Sequence, residues 1–264
     1  MAGAKMELKA KMAVPEIKIK LSVNEFAERF RNESISLGHT FSYYCAIPPL
    51  TETESREYLN EPIAALPPAV AEALPKILVL LVPYLEKKNG KPAEGRSDLI
   101  AMERPADAKL VWSSAWDTKK GHVMAFGVKE QEMAEYHYHL FQGISVLMSG
   151  LASKEVLAGF SAMLRDEMNA EVHGEVDESS WRLKQTLRRS KTGVRRETKA
   201  FRIYARQSFI DTLTLFLHGI CCDIDVETGP RQLASRHMRK RLELLRGFYP
   251  PPKGYAVFPE DLKV

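Results

Sequence analysis

The stretch HVMAFGVKEQEMAEYHYHLFQGISVLM, residues 122–148, changes its period part-way along. Its first seven residues, His122–Val128, form a short apolar run behind the polar turn Asp117–Gly121, and they read as a strand. From Lys129 onward the apolar residues Tyr136, Leu140, Ile144 and Met148 recur every fourth position, which is a helical spacing. The switch divides the chain. Strand signals lie on its N-terminal side, mixed with short helices, and the C-terminal side reads as helix.

Working back towards the N-terminus, Lys109–Ala115 and Asp98–Met102 are further strand candidates, preceded by a polar, glycine-containing loop over 89–95. Ile77–Val82 is the most apolar run, bounded by Pro75 and Pro83, and periodicity alone leaves it open between a buried strand and a helical turn. Thr51 and Glu54, and before them Ser22 and Glu25, have capping-box spacing and predict two short helices. Glu16–Val23 alternates as a half-buried strand would, and 1–12 reads as a tail.

Working forward, Ser153 is placed to cap a helix running to about His173, Glu178–Lys191 reads as another, and Arg195–His218 as a long one closed by Gly219. A last helix follows Pro230 and stops at Gly247. The predicted fold class is therefore α+β and predominantly helical. A small antiparallel sheet in a mixed portion, 13–128, packs on a helical bundle, 129–249, with an extended proline-containing tail over 250–264.

No run approaches the roughly 20 apolar residues of a membrane span, and no apolar leader is visible at the N-terminus. The three cysteines, Cys45, Cys221 and Cys222, are odd in number and two are adjacent, which argues against a disulfide framework. A soluble protein of the reducing cytoplasm is the expectation. Glycine-rich phosphate loops, dinucleotide fingerprints, His-Glu-x-x-His, Cys-x-x-Cys and Gly-x-Ser-x-Gly are all missing from the sequence. Asp223, Asp225 and Glu227 open like a calcium loop, but Gly229 falls one place late and Ala234 stands where a bidentate Glu is needed.

The net charge of +4 is unevenly spread. Asp166–Glu178 holds six acids and no Lys or Arg, while Arg182–Arg206 holds ten bases and one acid. Arg195, Lys199, Arg202 and Arg206 are spaced four, three and four apart and fall on one helical stripe, supported by Arg182, Arg188 and Arg189 on the preceding helix. Like charges so close call for a partner. A nucleic acid or other polyanion satisfies them from outside, in a binding or assembly role within a larger nucleic-acid-processing complex. Glu167, Glu171 and Glu175 would satisfy them from inside.

A second pattern points to a metal-dependent enzyme. Glu135 and His139 are one turn apart, Glu171 sits on the next helix, and Asp211 and His218 are two turns apart on the long one. Carboxylate and imidazole groups on facing helices hold divalent transition metals in helical bundles, although the Glu-x-x-His pair usual there does not occur. On this reading His137 points elsewhere. A third reading, a protein–protein adaptor, requires an exposed apolar patch.

Overall fold

The computed structural model describes residues 21–47, 50–88, 98–189, 198–222 and 231–263. The molecule is α+β and predominantly helical. Ser22 caps α1 (Val23–Phe30) with its hydroxyl on the Glu25 N–H, and Glu25 returns the bond. The expected strand over 16–23 is thereby displaced at its end, because Val23 already belongs to a capped helix; residues 16–20 lie outside the described ones.

Two strands follow, β1 (Ile35–Leu37) and β2 (Phe41–Cys45). A helical stretch comes next, made of α2 (Glu52–Ser55, capped by Thr51 and Glu54), a π turn over Arg56–Asn60, and α3 (Glu61–Ala64). The short α4 (Pro68–Ala73) leads to β3 (Ile77–Val82), which settles the open reading of that run as a strand. Beyond it lie β4 (Tyr84–Glu86), β5 (Leu99–Ala101), β6 (Leu110–Val111), β7 (Ser113–Thr118) and β8 (Gly121–Gly127).

The main sheet has the order β1-β2-β3-β8-β7, and a second sheet has the order β5-β4-β6. The second is antiparallel, as expected. The first is mixed, because β2, β3 and β8 run parallel while β1 and β7 are antiparallel edges. Every residue of β3 is buried. Ile77, Val79 and Leu81 face a core shared with the helices, and Leu78, Leu80 and Val82 face a smaller core with Val23, Phe26 and Ala27 of α1. A central strand covered on both faces has no polar side, which is why Ile77–Val82 reads as an unbroken apolar run. Gly121 makes the sharp entry to β8 at φ +124°, where a Cβ would come within 2.4 Å of the Lys76 carbonyl oxygen.

The C-terminal portion is built from α5 (Met133–Leu151), α6 (Lys154–Asn169), α7 (Glu178–Arg189), α8 (Lys199–Cys221) and α9 (Ser235–Phe248). Ser153 caps α6 and Thr198 caps α8. α5 and α8 end one and two residues past Gly150 and Gly219, near the breaks expected there. α6 stops at Asn169, and Glu171 has a left-handed backbone, φ 54°. Glu167, Glu171 and Glu175 therefore do not share one helix face. No single described helix is long and apolar enough to cross a membrane.

Candidate functional site

The helical portion contains a buried ionic network. Arg241 of α9, with no exposed surface, lies between Glu167 of α6 and Glu175. Its Nε donates to Glu167 at 3.1 Å, and its two terminal nitrogens reach the Glu175 oxygens at 2.7 and 3.0 Å. Lys184 of α7, equally buried, donates to Glu175 at 3.0 Å and to the Gly174 carbonyl at 2.8 Å. The Tyr204 and Ser208 hydroxyls of α8 complete the shell around Glu175. Two cations thus meet two carboxylates, and the groups around them are hydrogen-bonded, which is the condition for burying charge. Burial alone would raise the Glu175 pKa. The Arg241 guanidinium and the Lys184 ammonium outweigh it and hold the carboxyl down at about 2.

This network decides what the acidic block does. Glu167 and Glu175 face inward onto Arg241 and Lys184, so they do not neutralise the stripe on α8. Lys199, Arg202 and Arg206 are exposed there. Arg206 donates to the Ser149 hydroxyl at 3.1 Å, and neither Lys199 nor Arg202 has an ion-pair partner among the described residues. The supporting cations of α7 are more engaged. Arg182 pairs with Glu178 at 2.9 Å, and Arg188 donates to His173 Nδ1 and to the Glu171 carbonyl. Arg189 is exposed. Arg195 lies outside the described residues.

The residues expected to hold a metal separate. Glu135 and Glu171 are exposed. His139 is half-buried beside Gln142, and burial lowers its pKa. Asp211 is buried, accepting from the Ser180 N–H at 3.2 Å and from the Gln207 amide at 2.7 Å. Burial pushes its pKa up to about 6 despite those two donors. None of these four belongs to a cluster of donor atoms among the described residues.

His218 does, with different companions. One donor atom each from His137, His218 and Cys222 lies within 4.8 Å of the other two. His137 comes from the first turns of α5, and His218 and Cys222 from the end of α8, which packs along α5. His137 Nδ1 is 3.2 Å from Cys222 Sγ, and His137 Nε2 is 2.8 Å from the Glu57 carbonyl oxygen. Both histidines are buried and Cys222 is half-buried. The Cys222 thiol is pulled below its ordinary pKa, first by the hydrogen bond from Cys221 and then by the two imidazoles, against burial. Burial tends to lower the His137 pKa, but Cys222 and the Glu57 carbonyl outweigh it and the net shift is upward.

Sequence reasoning missed His137 and Cys222. A signal for Cys222 is present: His218 and Cys222 are four apart, one turn, at the end of a long helix. For His137 there is none, because its direction depends on which face of α5 meets α8. Comparisons with protein-family models, with curated proteins and with solved structures each find no match to the chain.

Proposed function

We propose that this protein associates with nucleic acid, in a binding or assembly role, through the outer face of the first half of α8. The supporting observation is the set Lys199, Arg202 and Arg206, exposed on one stripe, while two of the three acids that might have neutralised it, Glu167 and Glu175, face inward onto Arg241 and Lys184. A row of cations at helical spacing with no carboxylate partner among the described residues matches the phosphates of a polyanion, whose condensed counterions are released on contact. Arg189 at the end of α7 is also exposed.

The test is the triple substitution K199Q/R202Q/R206Q, in which Gln keeps helix propensity nearly unchanged. Binding of labelled single-stranded and duplex oligonucleotides is measured between 50 and 200 mM salt. Each lost phosphate contact should flatten the logarithmic salt dependence by about 0.7–0.9, so the variant should lose roughly 2–3 units of slope. Unchanged affinity at the lowest salt would remove α8 as the polyanion face.

A protein partner is the second reading. It is favoured by Ile203, 48% exposed on the same stripe, and by Val146, 46% exposed one turn before the Ser149 that holds Arg206. I203S should then weaken partner binding without changing the salt slope for oligonucleotides.

A further inference from the structure

We propose that His137, His218 and Cys222 form a binding site for one thiophilic divalent metal ion of the zinc class, with a fourth coordination position left for water or an outside ligand. The site lies at the far end of α8 from the cationic stripe. Twelve residues, or about 18 Å of helix, separate Arg206 from His218, so it stands or falls independently of nucleic-acid binding.

Geometry carries the assignment. Four-coordinate zinc bonds nitrogen at about 2.0–2.1 Å and thiolate sulfur at about 2.3 Å, which sets donor atoms roughly 3.3–3.6 Å apart. His137 Nδ1 and Cys222 Sγ are already 3.2 Å apart, and all three donors lie within 4.8 Å of one another. Closing the remainder takes about 1 Å of side-chain movement by this standard.

The surroundings of each donor point the same way. The Glu57 carbonyl accepts a hydrogen bond from His137 Nε2–H, which leaves the lone pair on Nδ1, on the Cys222 side. An imidazole whose second nitrogen donates to a backbone carbonyl is the usual outer arrangement of a metal-bound histidine. His218 Nε2 is buried and has no hydrogen-bond partner among the described residues, although a buried ring nitrogen is ordinarily satisfied. His218 and Cys222 are one turn apart on the same helix end, and the Cys222 N–H is bonded to the His218 carbonyl at 2.8 Å. Two donors therefore sit on one stiff element and the third on its neighbour. This limits the ordering entropy lost when a metal binds.

The donor set selects the ion. Two imidazoles and a thiolate suit zinc or cobalt(II), whereas magnesium and calcium need oxygen ligands that these side chains do not provide. Cys222 binds as thiolate, its proton released to solvent, so a bound divalent ion leaves the centre with one net positive charge. Cys222 is only partly buried, which leaves the fourth position close to solvent.

The experiment is a cobalt(II) titration of the full-length, reduced chain, followed by displacement with zinc. The expected result is one equivalent of cobalt, a near-ultraviolet thiolate-to-cobalt charge-transfer band and the visible bands of four-coordination, all abolished by zinc. C222S should lose the charge-transfer band, H137Q and H218Q should each weaken binding at least tenfold, C221S should retain the band, and C45S should retain both band and affinity. Far-UV circular dichroism of each metal-free variant separates loss of ligand from loss of fold. A second measurement needs no variant. Zinc should slow iodoacetamide alkylation of Cys222 in the native chain at least tenfold and leave Cys45 unchanged, as located by mass spectrometry. Absence of stoichiometric binding, a charge-transfer band that survives in C222S or vanishes in C221S, or equal alkylation of Cys222 with and without zinc would each overturn the site.

Discussion

Replacing Arg241 by Met tests the buried network most directly. Methionine fills much of the same volume but removes the guanidinium that touches Glu167 and Glu175. Glu175 keeps Lys184, at 3.0 Å, but Glu167 loses the only ion-pair partner it has among the described residues, in a site where it is 3% exposed. One uncompensated buried carboxylate and a set of orphaned acceptors remain. Removing one member of a buried pair costs about 3–5 kcal/mol. With an unfolding entropy of about 2.1 cal/mol/K per residue over the 264-residue chain, that is a fall in Tm of roughly 5–9 °C. Urea unfolding followed by circular dichroism, with a parallel thermal scan, measures it. The double variant R241M/E167Q removes the stranded charge as well, and should recover more than 1 kcal/mol of the loss by the same reasoning. If R241M costs less than about 1 kcal/mol, or if the double variant is the sum of the two singles, the network is not coupled in the way its geometry implies.

Three further outcomes are expected. Glu175, held at about 2 against 4.5 unfolded, contributes stability that is complete above about pH 4.5 and is lost as pH falls towards 2; the shift is worth about 3 kcal/mol, and E175Q should abolish that part of the acid dependence. Asp211 has the opposite sign: its folded pKa of about 6 lies above the unfolded 3.8, so it lowers stability by about 2–3 kcal/mol as pH rises from about 4 to 6, and D211N should flatten the urea midpoint over that window. Gly174 has φ +79° and a Cβ there would lie 2.1 Å from the Gln232 carbonyl oxygen, so G174A should cost at least roughly 2 kcal/mol in urea, and an unchanged midpoint would show that this loop adjusts freely.

Much of the architecture is legible in the residues themselves, for local reasons. Capping boxes at Ser22 and Thr51 and the cap at Ser153 act between neighbours three apart, so they start helices wherever the chain lies. The change of period at residue 129 marks where the strands end and the long helices begin, because both periods are set by backbone geometry. Charge blocks are equally visible, since they need only counting.

What those charges do was decided by tertiary structure. Arg241 belongs to the stretch Arg231–Arg246, with six bases and one acid, which by count alone points either to a partner or to pairing within the fold; it is fully buried, because Glu167 and Glu175 meet it from α6 and from the loop before α7. That pairing frees Lys199 and Arg202, and no spacing rule within α8 could report it. The donor cluster is a similar case. Glu135, His139, Glu171 and Asp211 share helical spacing with other ligand types, but spacing fixes only the face of one helix, and these faces diverge. His137 and Cys222, eighty-five positions apart, meet because α5 and α8 pack along each other. The sequence determines each helix and its stripes through interactions a few residues long; which stripes meet depends on how several helices share one core, and only the folded chain decides that.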